Sequence, residues 1–181
     1  MTDAQAIPIR LNVELIQQAR EVVAKLGTRY GESPAPGQST AGAHFRHIVD
    51  HYQVLLAGLE SGRVDYYTRA RDPELEASPD RMASALSNIE GTIQGLGADL
   101  DKPLRVDTGG AAHEGGEARW AVSSVRRELA FVLSHTLHHM ATIASVARTL
   151  GVDLDASVGV AHSTAAHRSR ASAAQASAGA D

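Results

Sequence analysis

Nine histidines in a chain of 181 residues without a single cysteine are the side chains here with most chemistry to offer. Six of them fall into two groups: His44, His47 and His51, then His135, His138 and His139. Neutral imidazole binds metals and exchanges protons near neutral pH. The absence of cysteine excludes disulfides, thiolate metal sites and a cysteine nucleophile. Spacings of three and four residues put side chains on one face of a helix, about 5 to 6 Å apart at Cβ, from which an i, i+4 pair can reach one ion.

At 100° per residue, His51 lies about 40° and His44 about 60° from His47 on the helical wheel. The apolar residues Ile48, Tyr52, Leu55 and Leu59 continue around the same side, so the three imidazoles form a strip along the edge of the buried face. His135 and His139 repeat the arrangement among Phe131, Val132, Ile143 and Val146. His138 falls about 60° the other way, beside Ser134, Ser145 and Arg148, and is expected at solvent or an interface. A His pair from one helix and a third imidazole from a facing helix make a three-His set with open positions for water or substrate. Such a site suits Zn, Ni, Cu or Fe. The plainer alternative is that these histidines are hydrogen-bonding residues at the border of a core. His113, His162 and His167 read as solvated loop or tail residues.

Positioning these groups requires long helices, and the sequence has four candidates. Asn12 reads as the cap of a helix over about residues 12–26, with Glu14 and Glu21 early, Lys25 late and Gly27 after it. The stretch from Thr28 to Ala41, with Gly31, Pro34, Pro36 and Gly37, reads as a loop. A second helix runs from about Gly42 to Ser61. Val64 to Arg69 follows as an extended link. Ser78-Pro79-Asp80 opens a third helix reaching about Gly97. Pro103–Val106 and Ala118–Val122 predict a hairpin around a Gly-rich turn. Ser123 or Ser124 then caps the longest helix, which ends near Leu150 before Gly151. The expected fold is all-α: a four-helix bundle with long crossover connections, a small β-hairpin before the last helix, and a disordered C-terminal tail. Residues 1–164 form its single domain, and the Ala/Ser-rich residues 165–181 lack an apolar stripe to dock.

Composition narrows the partners. Seventeen basic against 21 acidic residues leave a net charge of −4, which argues against nucleic-acid binding. The start has an early Asp and no apolar h-region. The longest apolar stretch, about Leu129 to Val146, is interrupted by Ser134, three histidines and Ser145, short of the roughly 18 to 20 apolar residues of a membrane span. A cytoplasmic protein without membrane association is the expectation.

The segments Ala43-His44-Phe45-Arg46-His47-Ile48-Val49-Asp50-His51-Tyr52 and Ser134-His135-Thr136-Leu137-His138-His139 together resemble the DinB-like (YfiT-like) family of four-helix-bundle metalloproteins. Supporting pieces are Arg69–Glu76, Ser124–Leu129 and Gly159–Thr164, so the resemblance runs from about residue 41 to 164. It implies a bundle with a three-His metal site open to solvent, often a homodimer. His47, before Ile48-Val49-Asp50, matches the family's first ligand, and His135 and His139 match the other two; His51 is the rival for the first position. One departure is His162, which stands where the family's Gly-Val-Ala-Pro-Ser-Thr pattern has Pro.

The resemblance implies a divalent metal ion (Zn, Ni or Fe) and diverse activities, among them thiol-dependent transfer, isomerisation and hydrolysis, without naming a substrate. A metal-dependent enzyme would need a small-molecule thiol cosubstrate for thiol transfer, since the chain has no cysteine. Glu128, two helical turns before His135, is the nearest carboxylate on that face for general-base work, or simply a first-turn Glu favoured by the helix dipole. Two other functions stand beside the enzyme: a non-catalytic dimeric bundle in which metal or histidines are structural, and a bundle with no metal. Arg69, Arg71, Arg126 and Arg127 form either an anion-binding patch or ion pairs with acids such as Asp72, Glu76 and Glu128.

Overall fold

Thr40 turns the loop around Pro34 and Pro36 into the helix that carries the first histidine group. Its hydroxyl accepts the Ala43 amide at 3.0 Å, and its extended backbone (φ −74°, ψ 163°) marks the boundary. The helix, α2, spans Ala41–Ser61 and ends on Gly62 at φ 71°, the left-handed C-terminal residue that Gly adopts without strain. In the computed structural model, which describes residues 3–97, 100–109, 119–161 and 164, the other helices are α1 (Asp3–Leu26), α3 (Pro73–Ala77), α4 (Pro79–Gln94) and α5 (Val125–Thr149). Ser78 and Ser124 cap α4 and α5 through their side chains, as expected.

The first helix differs from its sequence reading. It begins at Asp3 rather than near residue 12, runs through Pro8, and leaves Asn12 fully buried. Asn favours caps because its amide competes with the local backbone. Here the amide is spent on tertiary contacts instead. Asn12 Nδ2 donates to the carbonyls of Pro8 and Leu129, at 2.7 and 3.2 Å. Its Oδ1 accepts the Tyr52 hydroxyl at 2.7 Å, so one residue joins α1, α2 and α5.

Two further elements went unread in the sequence. The short α3 is opened by Asp72, whose carboxylate accepts the Glu74 amide at 2.9 Å. The link after α2 contains strand β1 (Arg63–Val64), too short for any alternation to announce it. β1 pairs in parallel with β2 (Pro103–Asp107), and β2 pairs antiparallel with β3 (Trp120–Ser124), with Leu104 opposite Ser123 and Asp107 opposite Trp120. The expected hairpin is therefore two strands of a three-stranded sheet. Its tip and His113, together with His162, His167 and the tail over 165–181, lie outside the described residues.

Helix α1 packs against α4 and α5, and α2 packs against the same two. The pairs α1/α2 and α4/α5 thus sit on the diagonals of a four-helix bundle, with α2 and α4 adjacent, which is why the α1–α2 and α4–α5 connections are long. Ile16, Phe45, Ile48, Tyr52, Met82, Leu86, Leu129, Val132, Met140 and Ile143 fill the interior. Among the described residues α5 is the one helix long and apolar enough, by length and composition, to cross a bilayer. Within the bundle it lays Leu129, Val132, Met140 and Ile143 against its neighbours, with Leu133, Leu137 and Ala144 half-buried on the same core.

Candidate metal centre

Because α2 and α5 are adjacent, their two histidine strips meet. The rings of His47, His135 and His139 form a nearly equilateral triangle, with centroids 4.9, 4.6 and 4.6 Å apart. One ligand-capable nitrogen from each lies within 4.8 Å of the others. All three rings are half-buried, whereas His138 is exposed, as its position on the wheel requires. A tetrahedral set at Zn–N distances of 2.0 to 2.1 Å has nitrogens roughly 3.3 Å apart. The nitrogens of the triangle all lie within 4.8 Å of one another, a range that includes this spacing.

The two remaining histidines of α2 flank the triangle in different ways. His51 is buried, and its Nδ1 lies 2.8 Å from the His47 carbonyl oxygen. A carbonyl only accepts, so Nδ1 carries the proton and Nε2 the lone pair. That Nε2 faces Arg69 Nη1 at 3.4 Å, while the ring lies 4.1 Å from that of His135. His44 stands at the other end, its Nδ1 3.1 Å from Nδ1 of His139. The strip therefore divides into one imidazole in the triangle and one partner on either side of it.

Burial is the main reason these imidazoles resist protonation. It lowers the His47 pKa to about 3, with further lowering from His51, His139, His135 and Arg69. His139 falls to about 3 through burial, then His135, His44, His138 and His51. His51 falls to about 4, again mainly by burial, although its bond to the His47 carbonyl acts the other way. His135 is also lowered, by burial and then by His138 and Arg69. Neutral rings with free lone pairs are what a divalent metal needs. His135 Nε2 is moreover buried without a hydrogen-bond partner, an arrangement that costs free energy unless something binds there. The donor set and this unmatched nitrogen both fit a borderline metal such as Zn, Ni or Fe.

The acidic residues near the centre are engaged to different degrees. Asp50, almost fully buried, accepts Arg46 Nη1 at 3.0 Å through Oδ2, while its buried Oδ1 has no hydrogen-bond partner. Arg46 Nε in turn donates to Glu76, which ties α2 to α3. Glu128 is more than a first-turn dipole partner: it is fully buried and accepts Tyr66 Oη at 2.9 Å, Ser123 Oγ at 2.5 Å and Arg127 Nη1 at 2.8 Å. It lies outside the histidine triangle. Of the arginine pairings read in the sequence, Arg127–Glu128 forms, while Arg126 pairs with Asp101 and Glu76 with Arg46. Arg69 makes no ion pair among the described residues, and its buried Nε has no hydrogen-bond partner.

Sequence reasoning passed over Tyr66, which lay in a link with no periodicity. Its ring stacks on His51 at 5.4 Å, and Phe131 closes the other side at 5.0 Å from Tyr66 and 5.8 Å from His135. An aromatic wall thus separates the triangle from a neighbouring cavity.

A four-helix bundle with diagonal crossovers and histidines converging from its second and last long helices defines a class of helical bundle with a candidate metal site. The sequence model of the DinB superfamily matches residues 13–143, and the chain belongs to that superfamily. Two solved structures from Bacillus subtilis share the fold. One, a DinB-like protein, is 14% identical with a TM-score of 0.56, covering 81% of this chain and 94% of its own. The other, YfiT, is 13% identical with a TM-score of 0.60, covering 84% and 91%. It is described as a probable metal-dependent hydrolase with an unusual four-helix bundle topology. No curated protein sequence matches the chain.

Proposed function

We propose that His47, His135 and His139 hold one divalent metal ion, Zn, Ni or Fe, and that the protein is a metal-dependent enzyme acting on a small molecule, as a hydrolase or a thiol transferase. The observation that carries this reading is the triangle of neutral imidazoles with the unpartnered Nε2 of His135 at its edge. The description of YfiT favours the hydrolytic branch. A metal ion in such a site supplies Lewis acidity and lowers the pKa of bound water.

The chain's own residues would do the rest. His44 orients the His139 ring through its contact with it, and His51, its own ring fixed by the His47 carbonyl, packs against the rings of His47 and His135. Tyr66 and Phe131 keep one flank apolar. Glu128, committed to three donors, holds Tyr66 and Ser123 in place rather than serving as a base. For thiol transfer the nucleophile must arrive on a cosubstrate.

That commitment of Glu128 also favours a second reading, a structural metal in a non-catalytic bundle. Association as a homodimer belongs to the proposal on the strength of the family resemblance. A single species near 19.1 kDa in sedimentation at micromolar concentration would remove it.

Elemental analysis tests the metal. The wild type is expected to carry one ion per chain, and His47→Ala, His135→Ala and His139→Ala to carry almost none. His138→Ala should keep it. Retention by all three triangle variants overturns the site, and loss in His51→Ala with retention in His47→Ala reassigns the first ligand. Hydrolysis or thiol transfer restored by metal to chelated protein then supports the enzyme over the structural reading, whereas metal that raises only the melting temperature supports the latter.

A further inference from the structure

Beside the histidine triangle, between the sheet and the first turns of α5, lies a cavity of about 470 Å³. The triangle does not line it; His51 and Phe131 do, and they form the wall shared by the two. Val106, Val122 and Tyr66 supply apolar surface. Tyr67 and Val122, two of the three large apolar side chains exposed among the described residues, also border it. Exposed apolar surface gathered at one concavity marks a place where something binds.

The charges lining this cavity are not balanced alike. Arg127 is paired with Glu128, and Asp107 accepts the backbone amides of Gly109 and Arg119, each at 3.1 Å. Arg69 differs: it feels the buried Asp50 carboxylate only through space, makes no ion pair among the described residues, and its buried Nε has no hydrogen-bond partner. Among the described residues its side chain makes one polar contact, the long 3.4 Å approach of Nη1 to His51. A guanidinium presents its N–H groups in a fixed planar fork that matches a carboxylate.

We propose that this cavity binds a small organic acid with an apolar body, its carboxylate held by Arg69 and its body against Phe131, Val106 and Val122. We further propose that it is the substrate pocket of the adjoining three-His centre, a step that rests on the metal reading above. An acid anchored on Arg69 lies one imidazole, that of His51, away from the triangle. Its size is bounded by the cavity, which accommodates a ring or short chain and not a polymer.

The test uses benzoate and its neutral counterpart benzamide, titrated into chelator-treated full-length protein and followed by methyl NMR of Val106 and Val122. Removing metal first excludes direct coordination of the carboxylate. Benzoate is expected to shift both valines and to bind at least about tenfold more tightly than benzamide, because only it forms charge-assisted hydrogen bonds. Arg69→Gln should lose that advantage, whereas Arg148→Gln, exposed near the far end of α5, should keep it. Arg69→Lys, which keeps the charge without the fork, should fall between them; an unchanged methyl spectrum away from the cavity verifies its fold. Equal affinity for benzamide, no effect of either Arg69 variant, or shifts confined to other methyls overturns the acid site. Benzoate binding in a protein that never takes up metal leaves the acid site standing and removes its link to the histidines.

Discussion

Nδ1 of His44 lies 3.1 Å from Nδ1 of His139, so one ring donates a proton to the lone pair of the other across the α2–α5 interface. When His139 is the donor, its Nε2 lone pair is freed for a ligand role. His44 is thereby a positioning residue for the triangle. Its replacement by Ala is expected to weaken metal affinity by about 10- to 100-fold, the usual effect of losing such a partner. Gln, which can still donate and accept, should recover part of the loss. Competition with a chromophoric chelator reads both; unchanged affinity in His44→Ala would show the contact to be incidental.

Metal-free protein should lose stability in acid. His47 and His139 bind protons near pH 3 and His51 near pH 4 when folded, against an ordinary value of 6.5. The unfolded chain therefore binds more protons in between, and stability rises with pH there. The contribution is complete above about 6.5 and disappears as pH falls towards 3 to 4. Urea midpoints taken stepwise from pH 7 downward should decline over this window, and less steeply in a His47→Ala variant.

Asn12 is expected to matter more than an ordinary polar residue. Asn12→Ala removes the acceptor of the buried Tyr52 hydroxyl, leaving Thr136 as its remaining side-chain partner, and should cost about 1 to 3 kcal/mol. Tyr52→Phe removes that hydroxyl, so the double variant should be less destabilised than the sum of the single ones. Strict additivity in chemical denaturation would contradict the coupling.

Gly159 holds the chain after α5 against that helix. It adopts φ +72°, and a Cβ there would meet the backbone of Met140 and Ala141, the latter at Cα within 2.5 Å. Gly159→Ala should therefore undock the segment at a cost of about 1 to 3 kcal/mol. Deletion of 165–181, by contrast, should leave the melting temperature unchanged, as its Ala/Ser composition implies. A drop of several degrees on deletion would show that the tail packs.

The second and last helices were legible because their apolar stripes and caps lie close together in sequence: Phe45, Ile48, Val49 and Tyr52 after Thr40, and Leu129 and Val132 after Ser124. The i, i+4 histidines were legible for the same reason, since helical geometry turns spacing directly into direction. Asn12 misled because its cap propensity is a local preference, which contacts to Tyr52 and Leu129 override. Strand β1 left no trace because two residues carry no period, and its reason for existing is the distant edge at Arg105 and Val106.

Local pattern alone thus specified helices, their buried faces and which side of each the imidazoles occupy. Only packing could decide that α2 sits beside α5 and not beside α1, and so which rings meet. It also distinguished His47, His44 and His51, which share one strip in sequence. Their division depends on ångström-scale contacts with His135, His139 and Arg69, partners on other elements of the chain. The same holds for Arg69, which makes no ion pair among the described residues and was indistinguishable from Arg71, Arg126 and Arg127 until burial and the positions of Glu128 and Asp101 were known. Propensity and periodicity act over a few residues, whereas charge compensation and ligand geometry are properties of groups that folding brings together.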